Sequence, residues 1–390
     1  MGNIDMYRKK IFLILPNNGI GGAEKIAYNL GFLEDLDVRY ILFEKADGYN
    51  FKEENCIVLN KRKIKFKFYF IIYIIKLMLI KLGHKNDIFL SFLTLPNIIN
   101  ILTGGISYIS VHSVESFYLK FYPNSLFIKL VDNLLTKRCY KYAKKVIAIS
   151  GNCKRDLMEN YKVNSEKIII LPNFIDENKI SKMKDEDYIP LNIQENISKK
   201  IILGTIARFA PYKGVYELIE IYSKLKTKYN NLLLIIVGDG EDKERILSLC
   251  EALNLKYTFN VNDLVKEGIH IFFTHSQKNP YAFLKFFDIF LLNSYIEGFP
   301  TVVLEAMFFG CRIISSNSTD VLYELKGNNG NFEILPRYDS SEEKTELWSK
   351  AFDKMYNEVK LTNKQRVNYS NLQNYYLNNV LQIWKKYLTS

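Results

Sequence analysis

Short, nearly uninterrupted apolar runs recur along the chain, and stretches with helical spacing lie between them. In the first half the runs fall at 11–16, 38–43, 56–59, 88–92, 108–111, 146–150 and 168–171. Continuous rather than alternating apolar character marks strands covered on both faces, the condition of a parallel sheet. Stretches 22–33, 126–143 and 152–161 read as helices. Strand and helix in alternation give an α/β, doubly wound layout. The pattern breaks at 176–199, which is polar, charged and poor in strand formers, so a linker is expected there. It restarts at 201–206, 232–237, 269–273, 289–292, 312–315 and 332–335. The expected division is a first domain over 1–175, a second over 200–368, and a C-terminal helix over 369–390 packing back toward the first. Two domains also suit 390 residues, since single cores stop growing beyond about 250–300 residues.

Composition narrows the function classes. Lys and Arg number 53 against 42 Asp and Glu, a formal charge of +11, while the hydrophobic share of 48% is that of a globular protein. The excess of cations suits a phosphate-bearing partner. No nucleic-acid module accompanies it, so nucleic-acid binding is set aside. The five cysteines are scattered without a CxxC, which argues for reduced thiols in a cytosolic protein and against a zinc site.

Segment 61–85, KRKIKFKFYFIIYIIKLMLIKLGHK, is basic, aromatic and strongly apolar. Its longest apolar run, 68–75, has eight residues, whereas a spanning helix needs about 20. As a helix it places Lys63, Lys67, Lys81 and Lys85 on one stripe and Arg62, Lys65 and Lys76 on another. Such a helix can lie in the headgroup layer of an anionic membrane, or it can be buried with its lysines reaching water.

Three loops carry candidate chemistry. PNNGIGGAE follows the first strand, and Gly19, Gly21 and Gly22 let a ligand approach the backbone at a helix N-terminus. GTIARFAPYKG places Arg208 and Lys213 after another strand, where two cations can clamp a diphosphate or simply face solvent. EGFPTVVLE follows the strand at 289–292; Gly298 and Pro300 shape a turn before a helix starting near Thr301. The amides of Phe299, Thr301 and Val302 are expected at that positive helix end, with Glu297 in the loop and Glu305 a turn into the helix. Asp35 with Asp37, and Asp185 with Asp187, form DxD-like pairs that read as surface charge. His84, His270 and His275 show no ligand spacing.

The order GGAE, ARFAPYKG, VGDGED and SYIEGFPTVVLEAMFFG resembles glycosyltransferase family 4 over nearly the whole chain. The E-x7-E element from Glu297 to Glu305 is the most specific part. The resemblance implies a GT-B fold, two Rossmann-like domains facing a central cleft. Segments 109–119, ISVHSVESFYL, and 89–99, FLSFLTLPNII, also resemble the GalNAc transferases that assemble lipid-linked oligosaccharide for bacterial N-glycosylation.

From that resemblance, Arg208 and Lys213 hold the donor diphosphate, Glu305 the ribose, and Glu297 and His112 the transferred sugar. The nucleobase packs near 276–281 through backbone, and Gly21 and Gly22 flank the phosphates. Arg62, Lys67, Lys76 and Lys81 are the candidates for membrane and acceptor pyrophosphate. The resemblance implies retention of anomeric configuration, a UDP-sugar donor (GalNAc as the leading choice) and a polyprenyl-diphosphate-linked glycan acceptor. The expected place is peripheral, on the cytoplasmic face of the membrane. No cofactor or metal is expected, because cations and helix amides can neutralise the leaving diphosphate. Ala207 stands where the family often has glycine. Three rivals remain: a family member acting on lipopolysaccharide or capsule glycan, a UDP-sugar 2-epimerase, and a non-catalytic scaffold at the membrane surface.

Overall fold

The computed structural model describes residues 10–19, 21–33, 36–60, 69–114, 116, 135–186, 188–336 and 341–389. The chain divides into two units: Met1–Asn173 with Asn378–Ser390, and Phe174–Leu377.

Among the described residues, the first unit holds a seven-stranded sheet in the order β3-β2-β1-β4-β5-β6-β7. The strands are β1 Lys10–Leu15, β2 Asp37–Glu44, β3 Cys56–Asn60, β4 Ile88–Phe92, β5 Ile106–Val111, β6 Lys145–Ala148 and β7 Ile168–Ile170. Every pairing is parallel. The helices are α1 Gly22–Leu30, α2 Tyr69–Leu82, α3 Thr94–Leu102 and α4 Gly151–Glu159. Ser150 caps α4, its side chain accepting from the Cys153 amide. Phe12 stacks on Phe89 at 4.8 Å across β1 and β4, and Tyr73 and Leu77 of α2 close over this layer. Burying side chains of this size contributes about 1.5–3 kcal/mol each.

The second unit repeats the plan with β8 Ile201–Ile206, β9 Leu232–Val237, β10 Tyr257–Thr258, β11 Ile271–Phe273, β12 Ile289–Leu292, β13 Arg312–Ser316 and β14 Phe332–Leu335. The order is β10-β11-β9-β8-β12-β13-β14, again parallel throughout. Residues 176–199, expected as a linker, carry α5 Glu177–Met183 and α6 Leu191–Ser198 and lie in this unit. Ile180, Ile193 and Ile197 are buried, and this apolar spacing fixes the segment as structure. The longer helices that follow are α7 Val215–Lys228, α8 Lys243–Ala252, α9 Thr301–Phe308, α10 Ser341–Leu361 and α11 Leu377–Thr389, with short helical turns at Tyr281–Leu284 and Val321–Lys326. From Asn378 onward α11 belongs to the first unit, where Trp384 is fully buried and stacks on Phe92.

Helix α2 departs from the expected orientation of its lysines. Lys81 faces inward and is 5% exposed. Its ammonium donates to Asn100 O (2.6 Å), Asn100 Oδ1 (2.7 Å), Gly104 O (2.6 Å) and Ser107 Oγ (3.1 Å). Burial pushes the Lys81 amine down to about 7. Lys81 is therefore corrected from a headgroup contact to an internal fastening, because a buried ammonium needs acceptors and the α3–β5 turn supplies them. Lys76 is exposed along its stem and donates to Leu59 O. The outward positions are apolar instead: Ile71 (66% exposed), Ile75, Met78, Leu79 (61%) and Leu82. They recur at helical spacing and form one stripe. Arg62 and Lys67 lie outside the described residues. Among the described residues no helix is long and apolar enough to cross a membrane.

Candidate functional site

In each sheet the strand order reverses between two neighbours, β1 and β4 in the first unit and β8 and β12 in the second. Open α/β sheets bind ligands beyond the carboxyl ends of strands at such points. The sequence motifs stand there: the glycine loop after β1, Arg208 and Lys213 after β8, and Glu297 after β12.

Peptide groups stitch the two loops of the second unit together. The Tyr295 amide donates to Tyr212 O at 2.7 Å. Asn293 Nδ2 donates to Gly214 O at 2.8 Å. Gly214 has φ 63°, and a Cβ there would lie 2.2 Å from Asn293 O, so the close approach requires glycine. At the end of this seam Lys213 Nζ lies 2.6 Å from Glu297 Oε1, both side chains largely shielded from solvent. The Glu297 amide donates to Ser318 O at 3.0 Å, which anchors the loop on its other side.

The remaining expected residues are placed as follows. Arg208 is mostly exposed and pairs with Glu241, its Nη2 at 3.0 Å and Nε at 3.1 Å from Oε2. Glu305, on α9, is buried, and its Oε1 accepts from the Tyr281 hydroxyl at 3.0 Å. Phe299 is buried against Tyr375. Gly298 O accepts from Thr319 Oγ1 at 3.5 Å. Val302 opens α9 beside Thr301. The Thr301 amide, expected to face a donor, instead donates to Phe299 O at 3.0 Å, because the tight turn before α9 folds the chain back on itself.

In the first unit, Gly21 is the extended N-cap of α1. A Cβ on Gly21 would meet Glu24 Oε2 at 2.3 Å, so the Glu24 carboxylate lies over this glycine, whereas a Cβ on Gly22 meets nothing within 4 Å. Glu24 is buried, and desolvation raises its carboxyl above the ordinary value. His112 follows β5 with Nε2 2.9 Å from Ser110 Oγ. Burial pushes its imidazole down to about 4, so the ring is neutral at physiological pH.

Sequence reasoning missed Asn293 and Glu24, and it gave Tyr281 only as the end of the expected nucleobase segment 276–281; each of the three shapes an expected site residue through contacts that spacing does not reveal. It also missed the setting of His275, which adopts φ 58°, pairs with Asp239 at 3.0 Å and stacks on Phe259. Asp37 pairs with Arg39 at 2.9 Å, while Asp35 and Asp187 lie outside the described residues. Among the described residues no cluster of three His, Cys, Asp or Glu side chains is placed to hold a metal ion.

Comparison with known proteins agrees with this layout. Residues 20–179 match the model for Glycosyltransferase Family 4, and residues 191–366 match the model for Glycosyl transferases group 1. An uncharacterized glycosyltransferase of Methanocaldococcus jannaschii is 32% identical over 198 residues, which cover 50% of this chain and 45% of that protein. The chain thus spans about half the length of several curated relatives it matches. The N-acetylgalactosamine-N,N'-diacetylbacillosaminyl-diphospho-undecaprenol 4-alpha-N-acetylgalactosaminyltransferase of Campylobacter jejuni is 24% identical over 342 residues, 85% of this chain and 87% of that one. Anabaena HepE, solved in complex with UDP and glucose, shares the fold with a TM-score of 0.68 at 17% identity, covering 97% of this chain and 99% of that one. The chain accordingly carries a Glycosyltransferase Family 4 domain followed by a Glycosyl transferases group 1 domain.

Proposed function

We propose that the protein is a retaining hexosyltransferase that takes a UDP-sugar, UDP-GalNAc as the leading choice, and extends a polyprenyl-diphosphate-linked glycan at the cytoplasmic face of the membrane. The observation that carries the reading is the Lys213–Glu297 contact at the switch point of the second sheet. A cation held there by a carboxylate is positioned before any substrate arrives, and preorganised charge of this kind stabilises developing charge most effectively.

In the reaction the bond between the anomeric carbon and the β-phosphate oxygen breaks, and a new bond to the acceptor oxygen forms on the same face. The acceptor proton passes to the departing phosphate oxygen. Lys213 and Arg208 neutralise the leaving diphosphate, so no metal ion is called for. Glu305 takes the ribose hydroxyls. Glu297 takes the sugar hydroxyls. Within the first unit, His112, Gly21 and Gly22 are assigned to substrate by the same reading.

Two further features support the acceptor class. The Campylobacter relative's name specifies a diphospho-undecaprenol substrate. The apolar outward stripe of α2 suits the acyl boundary of a lipid surface, with Lys76 at its flank and Arg62 and Lys67 just before it in sequence.

The test is incubation with a panel of sugar nucleotides and a polyprenyl-diphosphate glycan, read by mass spectrometry. One added hexosyl residue on the lipid-linked glycan is the expected product. Transfer only to lipopolysaccharide or capsule glycan would reassign the acceptor. Interconversion of the sugar nucleotide without acceptor would make the protein an epimerase.

A further inference from the structure

A line of buried polar side chains crosses the apolar interior of the first unit. It starts at Lys81 on α2, whose ammonium donates to Asn100 O and Oδ1. Asn100 Nδ2 donates to Ser91 Oγ at 3.0 Å. Ser91 Oγ donates to Asn97 Oδ1 at 2.8 Å. Asn97 Nδ2 donates to Ser110 O at 3.0 Å. Ser110 Oγ meets His112 Nε2 at 2.9 Å. Ser91, Asn97, Asn100 and Ser110 are fully buried.

The arrangement is unusual for its setting. Asn97 and Asn100 sit three apart on one face of α3, among Ile98, Ile99 and the aliphatic residues of β4 and β5, where apolar side chains would pack more simply. A buried polar group is tolerated when its partners are fixed, and here further bonds from Asn100 Nδ2 to Phe89 O and Tyr108 O, and from Asn97 Nδ2 to the Tyr140 hydroxyl, pin the members to β4, β5 and their neighbours. The line therefore behaves as one rigid insert. One end holds the helix that carries the outward apolar stripe. The other end sets the histidine ring.

We infer that Lys81, Asn100, Ser91, Asn97 and Ser110 form a positioning chain that fixes the orientation of His112, by holding the Ser110 backbone from which the Ser110 hydroxyl reaches the ring, and ties that orientation to the seating of α2. None of the five is a catalytic residue; they act through His112. The inference rests on the reading of His112 given under the proposed function, and its test is chosen to separate the two.

The experiment uses the full chain with nitrogen-15-labelled histidine. The His112 ring resonances are assigned by their loss in His112→Gln, then recorded in Ser91→Ala and Lys81→Met with transfer kinetics alongside. Ser91→Ala deletes one hydroxyl from the middle of the chain, distant from both ends in the hydrogen-bond order. The expected result is shifted His112 ring resonances in both variants, with kcat lowered about tenfold and donor KM within about twofold of wild type. A merely structural role would lower the melting temperature and leave the ring signals alone. If Lys81→Met does not fold, Ser91→Ala decides the matter. Unchanged His112 ring signals in a folded Ser91→Ala protein overturn the inference, whatever the activity. Changed ring signals together with wild-type transfer by His112→Gln uphold the chain and remove His112 from the reaction.

Discussion

Lys213 and Glu297, 84 positions apart in sequence, close an ion pair of 2.6 Å where β8 and β12 run side by side. Strand adjacency brings their loops together, and a peptide hydrogen bond from Tyr295 to Tyr212 holds the spacing. Replacing either Lys213 or Glu297 with alanine is expected to lower kcat by about 10²–10³, the usual effect of deleting one preorganised charge. Far-ultraviolet circular dichroism should be unchanged. Wild-type turnover in either variant would detach the pair from the reaction.

The Tyr281 hydroxyl orients the Glu305 carboxylate from within the buried layer. Tyr281→Phe deletes that bond. UDP affinity by calorimetry should fall about tenfold, as expected for losing a hydrogen bond to a charged group. In a Glu305→Gln background the same substitution should have much less effect, since coupled residues do not add. Equal effects in both backgrounds would show that Tyr281 acts on something other than Glu305.

Gly214→Ala forces a Cβ to 2.2 Å from Asn293 O at a φ of 63°. Urea unfolding should show a loss of about 1–3 kcal/mol from strain of this kind. Gly22→Ala meets open space and should be nearly neutral in the same assay. Equal stability of both variants would contradict the close approach at the seam.

The depressed imidazole of His112 gives a pH dependence with a defined sign. Its folded value of about 4 lies below the ordinary 6.5. Between these values the unfolded chain binds a proton that the folded chain does not, so this group's contribution to stability declines as pH falls from about 6.5 toward 4. Melting temperature against pH should be flatter for His112→Gln than for wild type across that window. Parallel profiles would show that the ring titrates normally.

The outward stripe of α2 gives a surface prediction. Ile71→Asp combined with Leu79→Asp should weaken sedimentation with anionic vesicles at least tenfold, since burying two aliphatic side chains is worth about 3–6 kcal/mol and charge removes it. Both side chains are exposed, so the melting temperature should hold. Undiminished vesicle binding would move the contact elsewhere on the chain.

Parallel strands were legible because strands buried on both faces leave continuous apolar runs, as at 232–237 and 289–292. The two-residue β10 was not, since Tyr257–Thr258 is too short for any period to register. Lys213 and Glu297 were readable because each stands next to a strand end with glycine in its loop. Lys81 was misplaced because charge pattern assigns a lysine to water, and only the acceptors of the α3–β5 turn explain an inward ammonium. Asn97 and Asn100 carried a signal that was passed over: two amides on one face of an otherwise aliphatic helix. The Thr301 amide depended on turn geometry that residue types do not encode.

The uncharged outward stripe of α2 also governs how the protein behaves in a test tube. Isoleucine, methionine and leucine side chains gathered on one ridge attract one another between molecules as readily as they attract acyl chains. In lipid-free buffer, association that grows with protein concentration and vanishes on adding mild detergent is the expected hydrodynamic signature. A stoichiometry measured without detergent would then describe the stickiness of this ridge and not a biological assembly.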